Sequence, residues 1–96
     1  MTNKLATLTT QDDVSIITLD DGKANVFSPS MISDVNTCLD QVPTESGCLV
    51  IKGRDGMFSA GFDLKIIGSG DMDAIKEMSL SGFKMLSRLL DFPRPV

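Results

Sequence analysis

Cys48-Leu-Val-Ile51 is an unbroken apolar run between Gly47 and Gly53. It lacks the in-out alternation of a strand with one wet face, and is the pattern of a strand covered on both faces, as in a parallel sheet. A parallel neighbour requires a crossover connection, usually a helix, between the two strands. One run therefore demands a helix just upstream and another strand before it.

Both are legible. Ser28 is a good N-cap, Pro29 suits the first helical position, and Met31, Val35, Cys38, Leu39 and Val42 recur at helical spacing until Pro43 stops them. Before that helix, Leu5–Leu8 and Val14–Leu19 are short β-prone runs separated by Thr10-Gln-Asp-Asp13, which reads as a hairpin. Asp20–Asn25 has the composition of a turn. The spacing thus predicts an α/β chain with a βαβ unit.

After Gly53 the chain predicts one or two helical turns over Phe62–Ile67, broken by Gly68-Ser-Gly70. A long final helix follows, capped by Asp71 or Asp73. Ile75, Met78, Phe83, Leu86, Leu89 and Leu90 form its expected apolar stripe, and Lys84 and Arg88 sit favourably near its C-terminal end. Gly82 within the stripe implies close packing, and Pro93 and Pro95 end the helix. The Pro-Arg-Pro-Val ending looks like the run-in to a further strand. The chain reads as a single domain's N-terminal part, residues 1–96.

Composition excludes several function classes. At 96 residues the chain is one small unit, with 42% apolar and 23% charged residues, so it is globular in composition. A net charge of -4, with nine basic residues scattered among thirteen acidic ones, argues against a nucleic-acid partner. There is no histidine, which removes Ser-His-Asp and Cys-His catalysis and any histidine-ligated metal within this chain. Cys38 and Cys48 read as small buried hydrophobes in a reducing compartment. No segment is long enough to span a bilayer and the N-terminus has no signal-like apolar core, so a cytoplasmic location is expected. Glycine spacing fits neither a dinucleotide fingerprint nor a P-loop. The Asp12-Asp13 and Asp20-Asp21 pairs fall in turns, where aspartate satisfies local backbone donors.

One stretch asks for more than a connection. Between strand and helix runs Gly53-Arg-Asp-Gly-Met-Phe-Ser-Ala-Gly-Phe-Asp-Leu-Lys65, longer than the two to six residues such a loop needs. Ala60 and Gly61 place small residues where the backbone can approach a ligand. If a helix starts at Phe62 or Asp63, the Phe62 N–H points out unpaired at its positive end, a donor suited to a developing oxyanion.

Phe58-Ser-Ala-Gly-Phe-Asp-Leu-Lys65 resembles the F-[CS]-[AS]-G-[AF]-D-[LI]-K signature of the enoyl-CoA hydratase/isomerase (crotonase) family. Val14–Asn25 is similar to that family's strand and Lys-x-Asn-Ala-type turn, and Leu86–Val96 resembles the helix end leading to its next strand. The resemblance implies the N-terminal part of a crotonase fold with repeated ββα units, acting on an acyl-CoA thioester in fatty acid metabolism. It implies that the Phe62 N–H is one of two oxyanion donors, that backbone around Ala60, Asp63 and Leu64 binds the adenine end of coenzyme A, and that Gly61 is among the substrate-binding residues. Lys23, Ala24 and Val26 would line the coenzyme A path, with Lys65 near its phosphates. No cofactor is implied beyond the substrate's own coenzyme A; a homotrimer, often paired into a hexamer, is the implied assembly. The family's second donor and its acid-base glutamates lie beyond Val96, so the 96-residue chain alone is expected to be inactive. Phe62 stands where many hydratases carry alanine. The rival class is a crotonase-like protein that binds acyl-CoA or assembles with partners without turnover.

Overall fold

Two strands, β1 (Ala6–Gln11) and β2 (Val14–Leu19), form the expected hairpin, paired antiparallel from Gln11↔Val14 to Ala6↔Leu19. Its two-residue turn is closed by Asp12 at φ +55°, a left-handed conformation that aspartate tolerates better than most residues. This is a computed structural model, and it describes residues 4–96. The third strand, β3 (Cys48–Lys52), lies parallel to β2 from Val14↔Cys48 to Thr18↔Lys52, giving the sheet order β1-β2-β3.

The crossover between β2 and β3 carries helix α1 (Pro29–Leu39). Ser28 caps it, its hydroxyl accepting from the Met31 N–H at 3.2 Å, and Pro29 occupies the first turn where its missing N–H costs nothing. The helix closes at Leu39 rather than running to Val42. Gln41 and Val42 donate instead to the carbonyls of Cys38 and Leu39, a tightened last turn that still buries Val42.

Ala6, Ser15, Ile17, Leu19 and Leu49 are buried on one sheet face, and their core cluster continues through Met31, Ile32, Val35, Cys38 and Leu39 of α1. Each large side chain removed from water here contributes roughly 1.5–3 kcal/mol. The opposite face is not covered. Val50 is 42% exposed, so the expectation that β3 is buried on both faces is corrected: the core shared with α1 lies on one side of this sheet. Cys38 is buried as expected, whereas Cys48 on the open face is only half-buried, and both are free thiols.

A one-turn helix, α2 (Leu64–Ile67), precedes the long α3 (Met72–Leu90). Asp71, not Asp73, caps α3, accepting from the Ala74 N–H at 3.1 Å. The buried face of α3 is Met78, Gly82 and Met85, with Ile75 and Leu89 half-buried. Phe83, Leu86 and Leu90 are exposed, which corrects the expected stripe. The helix has two adjacent apolar ridges about 100° apart, and this chain covers one. Met72 is likewise exposed, unlike Met78 and Met85.

Arg88 reaches from α3 to α1, donating to the Asn36 carbonyl at 3.2 Å and pairing with Asp40 at 2.7 Å. Beyond α3 the chain returns to β3: the Leu49 N–H donates to the Pro95 carbonyl at 2.8 Å and Arg94 Nε to the Gly47 carbonyl at 3.0 Å. Among the described residues no helix is long and apolar enough to cross a membrane.

Candidate functional site

The loop after β3 begins with a tight reversal. Arg54 and Met57 exchange N–H···O bonds at 2.9 and 3.0 Å, and Gly56 takes φ +76° at the tip. Gly53 is needed for a different reason: a Cβ there would stand 2.6 Å from the Phe58 Cα, against unyielding backbone. Its small size lets Met57 and Phe58 fold back over the end of β3.

Phe58 and its neighbours are then held by the loop after β2, through Asn25. This residue is fully buried at φ +51°, a region where asparagine is enriched. Its Nδ2 donates to the carbonyls of Leu19 at 2.8 Å, Phe58 at 3.1 Å and Met57 at 3.5 Å, while its Oδ1 accepts from the Asp21 N–H at 2.9 Å. Burying an amide with every polar atom paired joins the two loops, since losing any partner strands a buried polar group. The Asn25 carbonyl in turn accepts from the Ser59 hydroxyl at 2.7 Å, and that oxygen accepts from the Gly61 N–H at 3.0 Å.

Asp21 holds the first loop from inside. Its carboxylate accepts from the N–H groups of Lys23 at 2.7 Å, Asn25 at 3.0 Å and Val26 at 3.3 Å. Partial burial pushes this carboxyl up; the hydrogen bonds from Asn25, Lys23 and Val26 with the nearby Arg54 charge outweigh it, and the net effect is a pKa below the usual 3.8. Arg54 adds an ion pair to Asp20 at 3.1 Å and a hydrogen bond to the Lys23 carbonyl.

The result is two segments side by side, 24–27 and 59–62. Ala60 donates to the Ala24 carbonyl at 2.9 Å, Phe27 donates to the Gly61 carbonyl at 2.7 Å, and Phe27 and Phe62 pair as a parallel bridge. This fixes the direction of one donor. The Gly61–Phe62 peptide is trans, so a carbonyl aimed at Phe27 sends the Phe62 N–H the opposite way. That N–H has no acceptor among the described residues. Gly61 sits at φ +94° and, apart from its two chain neighbours, nothing lies within 4 Å of where its side chain would begin.

Of the nine residues the sequence marks, the structure brings Ala24, Val26, Ala60, Gly61 and Phe62 together; Lys23 is exposed beside them. Asp63 caps α2, accepting from the Lys65 N–H at 2.9 Å, and Leu64 and Lys65 are exposed on that single turn. One expectation is corrected. The helix begins at Leu64, two residues past Phe62, and is one turn long. The Phe62 N–H is therefore freed by its bridge to Phe27 and not by a helix start, and helix-dipole stabilisation is withdrawn. Sequence reasoning missed Asn25 and Ser59 as the residues that set the donor. The usable signal was an asparagine in a turn just after a strand, where left-handed backbone is common.

A cleft of about 550 Å³ between the helices, lined by Ile32, Asn36, Ile66, Met78, Ser81 and Lys84 among others, contains none of the nine residues. The candidate site is thus not this cleft.

Residues 9–96 match the model of the enoyl-CoA hydratase/isomerase family. A solved probable enoyl-CoA hydratase from Mycobacterium tuberculosis superposes with a TM-score of 0.90 at 38% identity, over 96% of this chain and 39% of that one. Among curated proteins, enoyl-CoA delta isomerase 3 of Arabidopsis thaliana is 34% identical over 95% of this chain and 41% of its own length. A probable enoyl-CoA hydratase of Bacillus subtilis is 30% identical over 86% of this chain and 33% of its own. The chain thus spans between a third and about two-fifths of these relatives. Its mixed sheet with helices is the N-terminal part of the crotonase fold. With a family match over nearly its whole length and that fold, the chain belongs to the enoyl-CoA hydratase/isomerase family.

Proposed function

We propose that this chain carries part of the active site of an enzyme acting on acyl-CoA thioesters, and that the Phe62 N–H donates to the thioester oxygen. The observation that carries the reading is this N–H, directed away from Phe27 with no acceptor among the described residues and with open space at the Gly61 side-chain position. In hydration, water oxygen bonds to the β-carbon as the C=C electron pair shifts toward the thioester oxygen. In isomerisation a proton leaves carbon and its electron pair shifts the same way. In both, the enolate formed is then protonated at carbon. A donor already fixed where that charge grows stabilises the enolate more than the neutral ester, which lowers the barrier.

The remaining expected residues have places in this proposal. Backbone at Ala60, Asp63 and Leu64 faces the adenine end of coenzyme A, and Gly61 lies against the substrate. Lys23, Ala24 and Val26 line the coenzyme A path, and Lys65 meets its phosphates. Coenzyme A enters as part of the substrate, and the working assembly is a trimer or a pair of trimers in the cytoplasm. Proton transfer is assigned to neither Asp21 nor Asp63, because both carboxylates are already engaged with backbone N–H groups. A second oxyanion donor and the acid-base group belong to the rest of the family domain.

The test compares Phe62→Ala, which keeps the N–H, with Phe62→Pro, which removes it, in the full-length protein. The proline costs the fold no hydrogen bond at that position among the described residues, where this N–H makes none. Turnover of a short enoyl-CoA should be about 100- to 1,000-fold slower in the proline variant than in the alanine variant, with similar affinity for the thioester. Equal turnover in the two variants would remove Phe62 from the mechanism. Thioester binding without turnover by the unaltered protein would favour the non-catalytic reading.

A further inference from the structure

We infer that Gly82, on the far side of the loop in α3, is a positioning residue for the Phe62 amide; this rests on the reading of that amide as a donor. Gly82 is buried although it has no side chain, because the Phe62 ring occupies the place a side chain would take. A Cβ at position 82 would overlap Cε1 of the ring and stand 2.6 Å from its Cζ, with Ile32 Cδ1 behind it at 3.8 Å. Phe83, the next residue of α3, closes on the ring edge-to-face, with centroids 6.2 Å apart and planes at 82°. The ring is thus lodged against α3 at one end, while the backbone of Phe62 is paired to Phe27 at the other.

These two constraints act on the same residue from opposite sides. The Phe27 bridge sets the plane of the Gly61–Phe62 peptide, and the ring's place on α3 sets how far that peptide stands from the helix layer. A glycine inside a 19-residue helix is otherwise unfavourable, since alanine is the better helix former. Replacing it with alanine should therefore strengthen α3 itself, and any loss must come through the displaced ring. The nearest atoms to the new methyl are the end of the Phe62 ring, so the ring has to shift; with Phe83 packed against it, the inference is that the loop carrying the ring follows.

The experiment uses the full-length protein with Gly82→Ala, Phe62→Ala, and the two combined. Gly82→Ala alone is expected to lower kcat for a short enoyl-CoA at least tenfold with KM within threefold. It should also speed amide hydrogen exchange in the peptide spanning residues 59–64. In the combined variant, where the ring is gone and the methyl has room, kcat and exchange should return to the values of Phe62→Ala alone. A kcat within twofold of the parent for Gly82→Ala, or a loss that persists in the combined variant, overturns the inference. The exchange readout is independent of turnover. If Phe62→Pro proves fully active while Gly82→Ala still perturbs exchange at 59–64 and Phe62→Ala reverses it, the donor reading fails and the positioning contact stands.

Discussion

The same dipeptide stands at each end of β2: Asp12-Asp13 enters it and Asp20-Asp21 leaves it. At the entry end the side chains are exposed and the backbone holds the structure. The Asp13 carbonyl accepts from the Cys48 N–H at 3.0 Å, tying the hairpin turn to the start of β3, and Gly47 at φ +79° is crowded against that same carbonyl. At the exit end the carboxylates hold it. Asp20 accepts from the Gly22 N–H at 2.9 Å and pairs with Arg54, and Asp21 gathers three N–H groups of its own loop. One end is closed by close-packed backbone. The other is braced from within by side chains, leaving open space at Gly22, Gly56 and Gly61. A loop that leaves its outer surface open has to be organised this way, since that surface is not used for packing.

The largest expected effect breaks the closed end. Gly47→Ala adds a Cβ that overlaps the Asp13 carbonyl oxygen and also forces alanine to a positive φ. Left-handed strain alone costs about 1–2 kcal/mol, and the clash with backbone adds to it, so a loss of about 3 kcal/mol or more is expected from urea unfolding. A loss under about 1 kcal/mol would mean that the turn shifts freely and that the entry end is not rigid.

An intermediate effect is expected at the braced end. Asp21→Asn keeps one acceptor oxygen but loses the charge that strengthens three N–H bonds, and a loss of about 1–2 kcal/mol at pH 7 follows for this half-exposed group. The pH dependence carries a sign. Asp21 has a folded pKa below its ordinary 3.8, so its contribution is complete above that value and is lost as pH falls through the lower, folded value. Stability measured from pH 5 downward should fall less steeply in the Asn variant than in the parent. Parallel curves below about pH 4 would show that Asp21 does not brace the loop in this way.

This contrast marks what was legible beforehand. Caps, stops and periodicity act through neighbours in the chain, so Ser28 and Pro29 could be placed from the sequence and the α3 cap narrowed to Asp71 or Asp73, and the hairpin, crossover and final helix followed. The same holds for the family signature around Phe62. Features made by distant residues were not legible. Nothing near Phe62 announces that Phe27, 35 positions earlier, pairs with it and turns its N–H outward. Asn25 reads as an ordinary turn residue until its amide is seen under Leu19 and Phe58. The two ridges of α3 are both apolar, and only packing against α1 separates Met78 and Met85 from Phe83 and Leu86. Gly82 was the exception: an expensive residue in a helix predicts a close contact, and the Phe62 ring supplies it.

The smallest effect sharpens the comparison by isolating strain from crowding. Gly22 has φ +78°, almost the value at Gly47, but nothing lies within 4 Å of its Cβ position. Its N–H bond to Asp20 survives substitution. Gly22→Ala should therefore cost only the left-handed penalty, about 1 kcal/mol, and Gly22→Asn less, because asparagine tolerates that region. Measured beside Gly47→Ala, the pair subtracts a common conformational cost and leaves the steric term of the closed end. If the two alanine variants unfold at the same urea concentration, crowding at Asp13 contributes nothing, and the two ends of β2 differ in hydrogen bonding alone.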